Sequence, residues 1–311
     1  MLFEIALLIL PVFILIVIGF ITSYLQLLKK PLVDGLAKFC QDLGIPFLLF
    51  FNLAILDFDN AFDFRILICF YCSMLFSFFV ISSISYFILK QPYINSIILG
   101  FCAMFSNGVL LGLPISELAY GPNSLFTNYT IIIGHAPLCY LIGIAFIEFG
   151  KNKKKKFIVG LRNSFTSILF NNLTIGILLG IGFNLFKLEF PIHTEELLKR
   201  GIVWIIPVSL FTMGGVLYYY RLANSFLIPF VIIFTSLLVQ PAFVYLLGLY
   251  SWNIEIEILR NAIIMAAMAP GLNAYFFANI YGRARDIVAT TILVSTGLTI
   301  FSSSFWIYLL S

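Results

Sequence analysis

Ten stretches of roughly twenty mostly apolar residues, long enough to cross a bilayer as helices, follow one another along this chain with short connectors between them. They lie at about 3–22, 35–56, 65–89, 93–117, 124–149, 163–186, 200–220, 225–250, 257–281 and 286–309. A chain built this way has nowhere to put a soluble core. Only 10% of its 311 residues are charged and 61% are hydrophobic, whereas a soluble domain carries about 25% charged residues. The pattern predicts an all-α polytopic membrane protein and excludes a soluble enzyme, a disordered chain and a nucleic-acid binder. The expected localisation is the cell (inner or plasma) membrane, as a multi-pass protein. The N-terminus does not read as a signal peptide, because Glu4 is the only charge before Lys29 and the apolar run is too long.

Basic residues mark which side the connectors face. With both termini outside, the inward side collects Lys29, Lys30, Lys38, Lys90, Lys151, Lys153, Lys154, Lys155, Lys156, Arg162, Arg221, Arg283 and Arg285. The outward side holds Arg65, Lys187, Lys199, Arg200 and Arg260, together with Asp57, Asp59, Asp63, Glu189, Glu195, Glu196, Glu255 and Glu257. The bias places the N- and C-termini on the extracellular or periplasmic face. The lysine run at 151–156 sits in a basic cytoplasmic linker, 150–162, and divides the chain into 1–149 and 163–311.

Each part holds five spans. Five is odd, so the second set enters the membrane from the opposite side, and a structural duplication here would be an inverted repeat of the kind found in secondary transporters. The fourth span of each set carries a break. Span 4 holds Ser106-Asn107-Gly108 and then Gly112 and Pro114; span 9 holds Pro270-Gly271 followed by Asn273. Proline lacks an N–H and clashes with the preceding turn, and Ser, Asn and Gly are poor helix formers. Two broken helices crossing at mid-membrane would bring two half-helix N-termini together, with free N–H donors that suit an anion.

The remaining intramembrane polar groups are candidates by default. Asn107 and Asn273 sit at the breaks and can donate or accept. Asn52 lies deep in span 2, where it either lines the cavity or bonds to a neighbouring helix. His135 is the only histidine within a span, and can contact a proton or an anion or bond to a neighbouring carbonyl. Lys38 and Asp42 are four residues apart, a helix-face spacing that predicts a pair. No Asp or Glu stands alone at a span centre, which argues against a carboxylate proton relay. An enzyme would need a nucleophile with its base or a metal cluster. His135 and His193 are the only histidines and no metalloprotease motif occurs, so no enzyme, metal or cofactor is expected. Cys69-Phe-Tyr-Cys72 has metal spacing without a second pair, and all five cysteines read as apolar packing.

The stretches Ser106–Ile115, with Asn107-Gly108 and Leu113-Pro114, and 269–278, with Pro270-Gly271-Leu272-Asn273 and the following Tyr281-Gly282, resemble the span-4 and span-9 signatures of the auxin efflux carrier family. Pro46-Phe-Leu-Leu-Phe in span 2 is also similar to a family segment. The family includes plant auxin exporters and bacterial carriers and belongs with the bile acid/sodium symporter-like proteins. The resemblance spans the chain and is closest to the bacterial type. It implies a 5+5 inverted repeat with crossed, broken helices 4 and 9. It also implies a homodimeric elevator-type carrier in which spans 1, 2, 6 and 7 form the scaffold and spans 3–5 and 8–10 move. The implied substrate is a small organic anion, a carboxylate such as malonate or malate or an auxin-like acid, bound by Ser106, Asn107, Gly108, Pro270, Gly271 and Asn273, with Asn52 and His135 nearby. Coupling to H⁺ or Na⁺ stays open, and the alternative is an anion channel or a uniporter without ion coupling. In the plant exporters a proline precedes the span-4 asparagine; here Ser106 takes its place, which predicts a softer first break.

Overall fold

The computed structural model describes residues 2–56, 63–150 and 171–311. The lysine run, Arg162, and the start of the sixth expected span (163–170) lie outside them, as do Asp57 and Asp59. Among the described residues the protein is all-helical, and seven helices are long and apolar enough to cross a membrane. These are Leu2–Tyr24, Lys30–Ala54, Phe64–Ile88, Phe126–Gly150, Ile192–Tyr218, Leu227–Ser251 and Arg285–Leu309. The fourth and ninth expected spans are each cut into two shorter helices. The chain is a multi-pass membrane protein.

In chain order the helices are α1 (Leu2–Tyr24), α2 (Lys30–Phe39), α3 (Ile45–Ala54), α4 (Phe64–Ser83), α5 (Tyr93–Met104), α6 (Leu113–Tyr120), α7 (Phe126–Gly150), α8 (Asn172–Leu185), α9 (Ile192–Ile202), α10 (Ile205–Tyr218), α11 (Leu227–Phe234), α12 (Gln240–Leu246), α13 (Ile256–Ala266), α14 (Leu272–Tyr281) and α15 (Arg285–Leu309). Several are joined end to end by wide π-helical turns. Three of those turns, Cys40–Gly44, Gly108–Gly112 and Thr235–Val239, come just before Pro46, Pro114 and Pro241. A proline cannot donate to the carbonyl four residues back and its ring crowds that carbonyl, so widening the helix there relieves the clash. In the third case the freed carbonyl is that of Leu237. It accepts from Ser302 Oγ at 2.7 Å and from Trp306 Nε1 at 3.0 Å, both on α15. In a bilayer such a carbonyl has no water to turn to, so protein donors replace the missing one.

The chain forms two compact units, each drawing on both halves of the sequence. One contains residues 11–56 and 171–219. Here α8 lies against α3 along Gly176 and Gly180, a small-xxx-small stripe that lets two backbones approach. A Cβ at Gly176 would stand 2.3 Å from the Pro46 carbonyl oxygen, and one at Gly180 2.6 Å from that of Phe50. One turn further, Asn184 Nδ2 donates to the carbonyls of Leu53, Ala54 and Leu56, which closes the C-terminal end of α3. The expected Lys38–Asp42 pair does not form: both side chains are exposed and make no ion pair with each other. The π-helical turn at Cys40–Gly44 falls between them and shifts the register that a regular helix would have given.

The other unit contains residues 2–10, 63–150 and 220–311. Asp63 caps α4 by accepting from the Arg65 N–H at 2.9 Å, and its carboxylate also takes the Arg65 guanidinium. Within this unit two series of elements run in the same order. Phe64–Ile88 and Leu227–Ser251 are 25 residues each, and both end in a five-residue π-helical turn. Each is followed by a short buried helix, α5 or α13, and then by a break and a second short helix that stops at Tyr-Gly. Both series close on a 25-residue helix, α7 or α15.

Candidate functional site

Both short-helix pairs are interrupted at the positions the sequence marks. α5 ends at Met104, and the next helical stretch, Gly108–Tyr120, begins after Asn107. α13 ends at Ala266, and α14 begins after Gly271. The two freed segments pair with each other as a two-residue antiparallel bridge, Ser106 opposite Pro270. The Asn107 N–H donates to the Ala269 carbonyl at 2.8 Å, and the Gly271 N–H donates to the Phe105 carbonyl at 2.9 Å. The arrangement is symmetric about the Ser106–Pro270 pair, and it uses backbone groups that no helix would have satisfied. Non-helical backbone at membrane depth needs such an internal partner.

The bridge also explains why proline is tolerated. In an antiparallel pair, facing residues alternate between positions that exchange N–H···O bonds and positions that do not. Ser106 and Pro270 occupy a position that does not, so the N–H missing from Pro270 is not required. For the same reason the Ser106 break is no softer than the Pro270 break. Phe105 (φ −88°, ψ 85°) and Asn107 (φ −81°, ψ 59°) have fully left the helical region. The expectation drawn from the absent proline is corrected: the Ser106 break is complete, because the poor helix formers Ser106-Asn107-Gly108 interrupt the helix and pairing with Pro270 holds the freed backbone.

The breaks set two helix starts beside two helix ends. The Asn107 carbonyl accepts from both Leu111 and Gly112 at 3.1 Å, which leaves the N–H groups of Gly108, Val109 and Leu110 as the donors of the first turn. On the other side the Gly271 carbonyl accepts from Ala274 at 3.0 Å, so the N–H groups of Leu272 and Asn273 hold the equivalent place. On the C-terminal side, the Ala103 carbonyl is taken by Ser236 Oγ at 3.2 Å. A Cβ at Gly108 would lie 2.5 Å from Cε of Met265, so the end of that flexible side chain would have to shift to admit one. The setting is dry: Ser106 and Asn107 are buried, and Ala266 through Ala269 are fully enclosed.

His135 on α7 joins this site. Its Nε2 lies 3.4 Å from Ser106 Oγ, and its ring packs against Phe105 with centroids 5.0 Å apart. Phe105 in turn stacks on Phe101 (5.4 Å), which stacks on Phe277 of α14 (3.9 Å). His135 therefore meets Ser106 of the break both at its hydroxyl and at its backbone, so the bond to a neighbouring carbonyl weighed from sequence stands beside the hydroxyl contact. The structure thus brings together Ser106, Asn107, Gly108, Pro270, Gly271, Asn273 and His135. Asn52 is half-buried on α3 and belongs to the other unit.

Residues 5–307 match the family model described as Membrane transport protein. The chain belongs to the auxin efflux carrier family. A more distant similarity links it to the Lysosomal cholesterol signaling protein of Mus musculus, 25% identical over 197 residues. That match takes in 59% of this chain and 22% of the mouse protein, so this chain spans well under two thirds of that relative's length.

The candidate site of this auxin efflux carrier family member includes further residues that the sequence does not single out. Ser236 and Met265 gave no local signal, because each acts on a segment more than 130 positions away. Phe105 and Ala269 take part through their backbone carbonyls, and side-chain chemistry does not announce that role. Cys139 was readable in principle: it lies four residues after His135, on the same face of a helix.

Proposed function

We propose that this protein is a secondary carrier for a small organic anion such as a dicarboxylate, and that the anion binds at the crossing of the two broken helices. The observation that carries this reading is the Ser106–Pro270 bridge, which holds the starts of two helical stretches next to one another. Each start contributes partial positive charge and first-turn N–H groups, and Asn107 and Asn273 stand at those starts. No Lys or Arg belongs to this set of residues. The electrostatics then rest on the backbone, and a carboxylate can leave as readily as it enters, which a carrier requires. His135, through Ser106, would sense or share the charge of the bound anion.

The matched order and lengths of Phe64–Tyr120 with α7, and of Leu227–Tyr281 with α15, support a 5+5 inverted repeat. On that reading the unit holding residues 63–150 and 220–311 is the moving body of an elevator, and the unit holding 11–56 and 171–219 is the fixed scaffold. The basic residues support both termini outside; the homodimer rests only on what the sequence resemblance implies.

The test is counterflow. Purified protein in proteoliposomes preloaded with unlabelled malonate, malate or indole-3-acetate is given the labelled acid outside. Saturable uptake stimulated by internal substrate is the expected result. Flux without saturation or trans-stimulation would overturn the carrier in favour of a channel.

A further inference from the structure

Behind the crossing, Cys139 Sγ meets two further donor atoms, Met74 Sδ and His135 Nδ1; the transport reading uses only the opposite nitrogen of His135, Nε2. Cys139 Sγ on α7 lies 3.4 Å from Met74 Sδ on α4 and 3.9 Å from His135 Nδ1, one turn back on α7. All three residues are buried: Met74 is 1% exposed, Cys139 0% and His135 5%. Phe70, one turn before Met74 on the same face of α4, packs edge-on to the His135 ring at 5.5 Å and helps fix its plane. The other ring nitrogen, Nε2, faces Ser106 Oγ.

We propose that Met74, His135 and Cys139 form a binding site for a soft monovalent metal cation of the copper(I) or silver(I) type. Two donors held about 2.0–2.3 Å from one metal stand roughly 3.4–4.1 Å apart at ordinary ligand angles, and both observed separations lie in or at the edge of that span. Thiolate and thioether sulfur are soft ligands that suit copper(I), and imidazole suits copper as well. A divalent ion fits poorly. Among the described residues no group of three His, Cys, Asp or Glu side chains could hold a metal, so a zinc site would lack its usual donors.

Charge decides the oxidation state. One thiolate and one monovalent cation give a neutral unit in a dry interior, whereas a divalent ion would leave a buried net charge. The binding step balances simply. The Cys139 S–H bond breaks and its proton leaves to buffer, a sulfur–metal bond forms, and no electron is transferred. With the metal on Nδ1, the ring proton sits on Nε2 and donates to Ser106 Oγ. A second hydrogen bond that fixes a ligand's tautomer is the usual partner of a metal-bound histidine. The site would thereby tie metal occupancy to the Ser106–Pro270 bridge.

The test uses the full-length protein, reduced, in detergent and chloride-free buffer. Silver(I) is titrated directly, and copper(I) is added in competition with bicinchoninate. The expected result is one tight equivalent whose X-ray absorption fits two sulfurs and one nitrogen, together with a rise in melting temperature. Cys139→Ser should abolish that equivalent. Met74→Leu, which keeps the packing volume, should weaken it at least tenfold while the metal-free protein elutes and melts like wild type. No tight equivalent in the wild type would overturn the proposal. Unchanged binding in either variant would overturn it too, by assigning the metal to Cys40, Cys69, Cys72 or Cys102.

Discussion

Ser106 and Pro270 face each other across an antiparallel bridge, although 164 positions separate them, and neither contributes a hydrogen bond to the pairing. Their neighbours do: Asn107 donates to Ala269, and Gly271 donates to Phe105. This division predicts opposite outcomes for two adjacent proline substitutions. Ser106→Pro removes an N–H that the bridge does not use, and Phe105 before it has already left the α region that a following proline disfavours. Asn107→Pro removes the donor to Ala269 and leaves that carbonyl buried without it, at about 1–3 kcal/mol. Thermal melting in detergent should show Ser106→Pro close to wild type and Asn107→Pro clearly lower. Equal losses in both would mean that the bridge does not organise the crossing.

Transport should depend on the amides in the first turns more than on any charged side chain. Asn107→Ala and Asn273→Ala are each expected to cut counterflow at least tenfold while insertion and melting stay near wild type. Arg260→Gln, far along α13 from the bridge, should change it less than twofold. Wild-type uptake in both asparagine variants would place the anion elsewhere.

The extent to which this site could be read in the sequence follows from what each residue does. Pro270, Gly271, Ser106, Asn107 and Gly108 advertise a break because their helix propensities are poor, and the breaks fall where the residues put them. That the chain is an all-helical multi-pass membrane protein was equally legible, because a run such as Leu2–Tyr24 has nowhere to go but lipid. The pairing of the breaks was not legible. It is a backbone contact between segments 164 positions apart, and backbone carries no side-chain signature. The Ser106 break reads as softer than it is for that reason, since a local propensity argument cannot include Pro270. Lys38 and Asp42 failed differently: the i,i+4 rule assumes a regular helix, and the π-helical turn before Pro46 breaks that assumption.

The Leu237 carbonyl offers a test of how a bilayer protein handles a proline. Ser302 and Trp306 both donate to it in place of the N–H that Pro241 lacks. Ser302→Ala or Trp306→Phe alone leaves one donor and should cost about 1 kcal/mol or less in hydrogen bonding. The double variant leaves a buried carbonyl bare and should cost about 1–3 kcal/mol beyond the sum of the singles. Adding Pro241→Ala to the double variant restores a backbone donor and should recover much of that loss. Additive singles, or no recovery with Pro241→Ala, would show that the two side chains are packing groups only.

The last expectation concerns acid. Hydrogen bonding from Arg65 holds the Asp63 carboxyl below its ordinary value, outweighing a small opposing effect of burial. A carboxylate with a lowered value in the folded state stabilises the fold at pH above its unfolded value, and that contribution fades as pH falls through the folded one. The α4 cap should therefore weaken only below the usual carboxylate range, not near neutrality. Arg65 is half exposed, so the ion-pair part is small and screened by salt, while the cap to the Arg65 N–H persists. Asp63→Asn keeps a capping oxygen and should flatten the acid limb of the melting curve, leaving stability at pH 7 nearly unchanged. Asp63→Ala should lower stability at pH 7 by about 1 kcal/mol. An acid limb identical in wild type and Asp63→Asn would assign the acid sensitivity to other carboxylates.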